Sequence, residues 1–125
     1  MIRMEHEPSM AANSVVTKAA IRAADRLGLS ARALSEVIGV SEASVSRMKR
    51  GEYLLPEAGK SFELAVLLIR AFRALDAITG GDERALAAWV GSPNLALGGV
   101  PRDRMMTVGG LADVVAYLDA RRAPL

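Results

Sequence analysis

The stretch LSARALSEVIGVSEASVSRMKRGE, residues 29–52, constrains the fold more than any other part of the chain. Nearly every position in it has one geometric task. Ser30 can cap a helix running from about Ala31 to Ile38, with Leu34 and Ile38 turned inward. Ser35 is small where a second helix must pack closely. Gly39 permits the positive φ of a tight turn, and Val40 can plug the core beneath it. Ser41 can then cap a second helix from Glu42 to about Arg50, with Val45 and Met48 inward. Two short helices crossing at a glycine turn form a helix–turn–helix. The coincidence of turn glycine, two caps and four core positions makes this pattern specific.

In such a unit the second helix enters the major groove of DNA. From the Ser41 cap onward, its outward face would carry Glu42, Ala43, Ser44, Ser46, Arg47 and Lys49, with Arg50 at its end. Alanine and short hydroxyls allow close approach to base edges. Arg47 could read a guanine or hold a phosphate, and Lys49 and Arg50 suit phosphates. Charge agrees with this placement. Residues 26–52 carry five basic and three acidic side chains, whereas residues 57–125 carry eight of each. The chain's net charge of +2 equals the excess of that one short segment. A unit this small reads DNA as a dimer, on half-sites about 34 Å apart.

The flanking sequence reads as helix throughout, so the fold class is all-α. Residues 1–13 show no apolar periodicity and are expected to form a flexible tail. A first helix is expected to start near Ser14, with Val16, Ala19, Ala20, Ala23 and Leu27 at helical spacing and Gly28 as its stop. Pro56 and Gly59 punctuate a turn before KSFELAVLLIRAFRALDAITGG, a long helix ended by Gly80 and Gly81. Its apolar residues cannot share one stripe, so it must be covered on several sides, by its own chain or a second copy. Asp82 can cap a shorter helix ending at Gly91, and Leu111, Val114, Val115 and Leu118 mark an amphipathic last helix. The expected organisation is a tail at 1–13, a helix–turn–helix domain at 14–56 and a small helical binding and dimerisation domain at 57–125.

Several classes of chemistry lack their residues. Without cysteine there is no thiolate metal site, disulfide or cysteine nucleophile, which suits the cytoplasm. His6 is the single histidine, so no metal constellation is expected and no catalytic role is assigned. The start of the chain lacks the apolar core of a signal peptide, and the run LAVLLI is far too short to span a bilayer. Glycine pairs occur three times, but never in a phosphate-binding pattern. No cofactor and no small-molecule substrate are expected, and the chain does not read as an enzyme. Trp89 reads as a plug beneath the loop that follows it.

That loop, SPNLALGGVPRDRMM at 92–106, interrupts the helices with two prolines and a glycine pair. Pro93 and Pro101 fix φ and set rigid corners. Gly98 and Gly99 let the backbone turn back between Leu97 and Val100, which can anchor it. Together with Trp89 and the closing helix, the residues Pro93, Asn94, Ala96, Leu97, Gly98, Gly99 and Pro101, then Gly110, Leu111, Val115 and Leu118, resemble the C-terminal domain of the Xre/MbcA/ParS antitoxins. The preceding helix–turn–helix is similar to theirs as well, so the resemblance covers roughly residues 14–120. It implies a type II antitoxin that binds a cognate RES-domain toxin, which attacks NAD⁺ or uses it for ADP-ribosylation. Inhibition would be steric, and the antitoxin would dimerise and repress its own operon. On this resemblance Asn94, Leu97, Gly98, Gly99, Arg102 and Arg104 are the candidate toxin-binding residues, the two arginines pairing with acidic groups. Met105 and Met106 suit core packing better than contact. Some members insert a C-terminal motif into the toxin. Here the chain ends in RRAPL, and the N-terminal tail is an equal candidate for the plug. A stand-alone helix–turn–helix regulator without a toxin partner is the alternative.

Overall fold

In the computed structural model, residues 6–122 are described, with side chains from residue 12 onward. Seven helices follow one another: α1 (His6–Leu27), α2 (Ala31–Ile38), α3 (Glu42–Lys49), α4 (Lys60–Thr79), α5 (Glu83–Gly91), α6 (Pro101–Arg104) and α7 (Val108–Arg122). The all-α expectation is met.

The helix–turn–helix forms as its caps dictate. The Ser30 side chain accepts from the Ala33 N–H at 3.0 Å, and that of Ser41 from the Ser44 N–H at 3.0 Å. Gly39 adopts φ 73° and ends α2, its N–H donating to the Ser35 carbonyl. Leu34, Val37, Ile38, Val45 and Met48 are buried, and Val40 packs half-buried against them. Ser35 is buried, and its hydroxyl donates to the Arg32 carbonyl at 2.6 Å.

The first helix departs from expectation. It begins at His6, not near Ser14, so residues 6–13 are helix rather than tail. Apolar periodicity reports burial, and a helix can run past its buried face where propensity allows. Pro8 falls in the first turn, where its missing N–H is one no helix would use. Residues 1–5 lie outside the described residues.

At the centre stands α4. It packs against α1, α2, α5 and α7, so this chain itself covers the helix on several sides. Ala65, Ala71 and Ala74 are buried beside Leu68 and Leu75, and the small residues let neighbouring helices approach closely. The buried apolar residues from Ala20 in α1 to Leu118 in α7 form one cluster. Ion pairs tie the helices at its surface, among them Arg26 with Asp76 at 3.2 Å and Arg70 with Asp119 at 2.6 Å. Inside, the Leu55 N–H donates to the buried Thr17 hydroxyl at 3.0 Å, tying the segment after α3 to α1. Among the described residues, no helix is long and apolar enough to cross a membrane.

Candidate functional site

Two surfaces carry the candidate residues. The first is α3, whose cap, Ser41, is exposed along with Glu42, Ala43, Arg47, Lys49 and Arg50. Ser44 and Ser46 are only half-exposed, because on so short a helix they flank buried Val45. Arg47 is pre-positioned by its neighbours. Its guanidinium donates to the Ser44 hydroxyl at 3.1 Å and lies 5.7 Å from the centre of the Tyr53 ring. Arg50 pairs with Glu52 at 3.2 Å, so part of its charge is already answered within the chain. Lys49 makes no ion pair among the described residues and lies beside Lys18 of α1. The result is a short polar helix with a cationic C-terminal half, offered on a rigid turn.

The second surface is the interruption at 92–106. Asn94 and Gly99 exchange both backbone hydrogen bonds, at 2.9 and 3.2 Å, and close a small hairpin between them. The Asn94 side chain accepts from the Leu97 N–H at 3.1 Å, and Gly98 turns the chain at φ 75°. Leu97 is buried and anchors the hairpin, with Val100 half-buried behind it. Pro101 occupies the first position of α6, a short helix not anticipated from the sequence. Met105 is buried and Met106 packs half-buried against the core, as their softness suggests.

Trp89 plugs less than expected: it is half-buried and stacks on Tyr117 of α7, ring centres 6.1 Å apart. The Arg121 guanidinium lies 4.3 Å from the Tyr117 ring centre. Hydrogen bonding from Arg121, then from Asn94, holds the Tyr117 phenol below its ordinary value of 10.0. Arg104 is committed within the chain, its guanidinium meeting Asp113 at 2.9 Å. Arg102 is half-exposed beside Gly91. Of the six candidate residues here, Asn94, Leu97, Gly98 and Gly99 build the hairpin, and Arg104 braces it against α7. Sequence reasoning missed Leu95, which stands fully exposed at the tip, and Tyr117, which joins hairpin and helix.

Comparison with known families finds two domains along the chain. Residues 7–70 match the antitoxin Xre-like helix-turn-helix domain, and residues 74–123 match the antitoxin Xre/MbcA/ParS C-terminal toxin-binding domain. The chain belongs to the Xre/MbcA/ParS antitoxin family. It is a type II antitoxin with a DNA-binding helix–turn–helix and a toxin-binding domain, and it acts by binding rather than catalysis. A stand-alone regulator lacking a toxin-binding domain therefore does not describe it. No curated protein matches the chain. Among the described residues no acidic or histidine cluster could hold a metal ion. Ala123–Leu125 lie outside the described residues, as do residues 1–5, so both ends considered as toxin plugs fall partly beyond the structure.

Proposed function

We propose that this antitoxin neutralises a RES-domain toxin by covering its NAD⁺ cleft, and that as a homodimer it represses its own operon through α3. The observation that carries the toxin half is the braced hairpin at 94–99. It lies inside the region matching the toxin-binding domain, and its backbone is fixed before any partner arrives. A preorganised loop loses little entropy on binding, so steric blocking needs no chemistry from this chain. The DNA half is supported by the rigid presentation of Ser41, Glu42, Ala43, Arg47 and Lys49 on a capped helix. Such a protein would work in the cytoplasm, where its operon and its toxin both lie.

Co-expression tests the first half. The RES-domain protein encoded beside this chain should arrest growth alone and be rescued by the antitoxin. A toxic neighbour that this chain neither binds nor rescues refutes the reading. Mobility shift on the operon's own promoter tests the second half. Arg47→Ala should weaken specific binding about tenfold or more, as for loss of one base-contacting arginine. Salt-sensitive binding that ignores this substitution would remove Arg47 from the contact set.

A further inference from the structure

The hairpin's residues divide by what their side chains already do. Leu97 is buried in the core, and the Asn94 amide holds the Leu97 N–H. Gly98 and Gly99 supply the turn and its closing hydrogen bonds. Arg104 is answered by Asp113. Leu95 is different: its relative exposure is 102%, the highest among the exposed large hydrophobic residues whose side chains are described. Only its carbonyl takes part in the turn, accepting from the Gly98 N–H at 3.2 Å. Turn tips ordinarily carry Gly, Asn, Asp or Ser, because those residues satisfy turn geometry and stay hydrated. Here the tip reads Leu95–Ala96 on a backbone pinned from both sides. Leu95 itself borders a shallow hollow of about 460 Å³, lined also by Ala96, Gly98, Ala116 and Tyr117 and edged by the Arg104–Asp113 pair.

We infer that Leu95 is the apolar anchor of the toxin interface, seated in a socket on the toxin while a polar rim meets the Arg104–Asp113 pair and Tyr117. This rests on the toxin-binding reading of the hairpin and names its energetic centre. Central apolar side chains on rigid supports carry most of the affinity in protein interfaces, whereas rim charges already paired within one partner add little. The toxin is the occupant because the tip lies within the matched toxin-binding domain, on the same face as the rest of the hairpin. The fold has no use for the side chain.

The test is titration calorimetry of the full antitoxin against the purified RES-domain toxin, with Leu95→Ala, Leu95→Asp and Leu95→Met. Leu95→Ala should weaken binding about tenfold and Leu95→Asp about a hundredfold or more, while Leu95→Met stays within about threefold of wild type. All three should melt with the wild type and shift operator DNA equally, since no buried contact is lost. If wild type binds and Leu95→Asp binds as tightly, the anchor is refuted and the toxin reading stands. If wild type does not bind, the toxin reading itself fails and takes the anchor with it. A Leu95→Asp protein that halves in mass on sedimentation while binding toxin normally would place the leucine between copies of this chain, and would equally overturn the inference.

Discussion

Gly109 and Gly110 open α7 side by side, and the structure gives their replacement opposite signs. A Cβ added at Gly110 would stand 2.8 Å from the Arg104 carbonyl carbon and 2.9 Å from the Thr107 hydroxyl, and nearer still to the Arg104 carbonyl oxygen. Ordinary non-bonded contacts lie at well over 3 Å, so the end of α6 would have to retreat by about 1.5 Å to free the carbonyl oxygen. Backbone carries that contact, and no flexible side chain can swing aside. Overpacking of this kind costs about 3 kcal/mol, which for a chain of this size lowers Tm by about 12 °C. Gly109 meets nothing within 4 Å, and its φ is not in the left-handed region. Alanine there gains helix propensity, worth about 0.5 kcal/mol so close to the helix start, or about 2 °C. Circular dichroism melts of both variants, with urea titrations for the free energies, separate the two cases. A Gly110→Ala protein melting within about 2 °C of wild type would refute the close α6–α7 approach.

The other expectations concern single contacts. Thr17→Val keeps the buried volume but strips the acceptor from the Leu55 N–H, and urea unfolding should record a loss of about 1–3 kcal/mol. Ser41→Ala removes the cap of α3, costing about 1 kcal/mol by the same assay. Because the folded Tyr117 phenol ionises below its ordinary 10.0, ionisation favours the folded chain. That contribution is present above the unfolded value and lost as pH falls through the folded one. Ultraviolet titration, with Tyr117→Phe to identify the signal, should show the phenol returning toward 10.0 in Arg121→Gln. A chain of residues 57–125 alone leaves buried Ala65 and Leu68 of α4 without the α1 and α2 that pack on this helix, and should bind a hydrophobic dye rather than melt cooperatively.

What was legible in the sequence was what local chemistry decides. Ser30, Gly39 and Ser41 act within four residues of themselves, so both helices of the turn are found at their expected bounds. The inward residues of α7 were equally plain, since Leu111, Val114, Val115 and Leu118 repeat at helical spacing and are all buried. Features that depend on distant partners were hidden. Nothing near Arg104 in the chain announces that Asp113, nine residues on, would pair with it once α6 and α7 fold together. The start of α1 was hidden for the opposite reason: residues 6–13 are helical without the periodic apolar face that marks a buried helix. The hairpin was half visible. Its prolines and glycines announced rigid corners, but which leucine faces inward depends on the Asn94–Gly99 register. That register buries Leu97 and leaves Leu95 outside.

The position of α4 joins the antitoxin's two activities. The helix is 20 residues long, and the two family matches meet within it, one ending at residue 70 and the other beginning at 74. One side of it completes the core of the helix–turn–helix through α1 and α2, and another receives α7, on which the hairpin rests. The two halves share one core, because the buried cluster is continuous through α4. A ligand that binds only the folded chain therefore stabilises all of it, by about 2.7 kcal/mol at a hundred times its Kd. On the proposed reading, a toxin bound at the hairpin would also favour the folded state of α3, more than 40 residues earlier in the chain. Antitoxin released from such a toxin would lose that support, and its DNA-binding helix would become accessible to unfolding together with the rest.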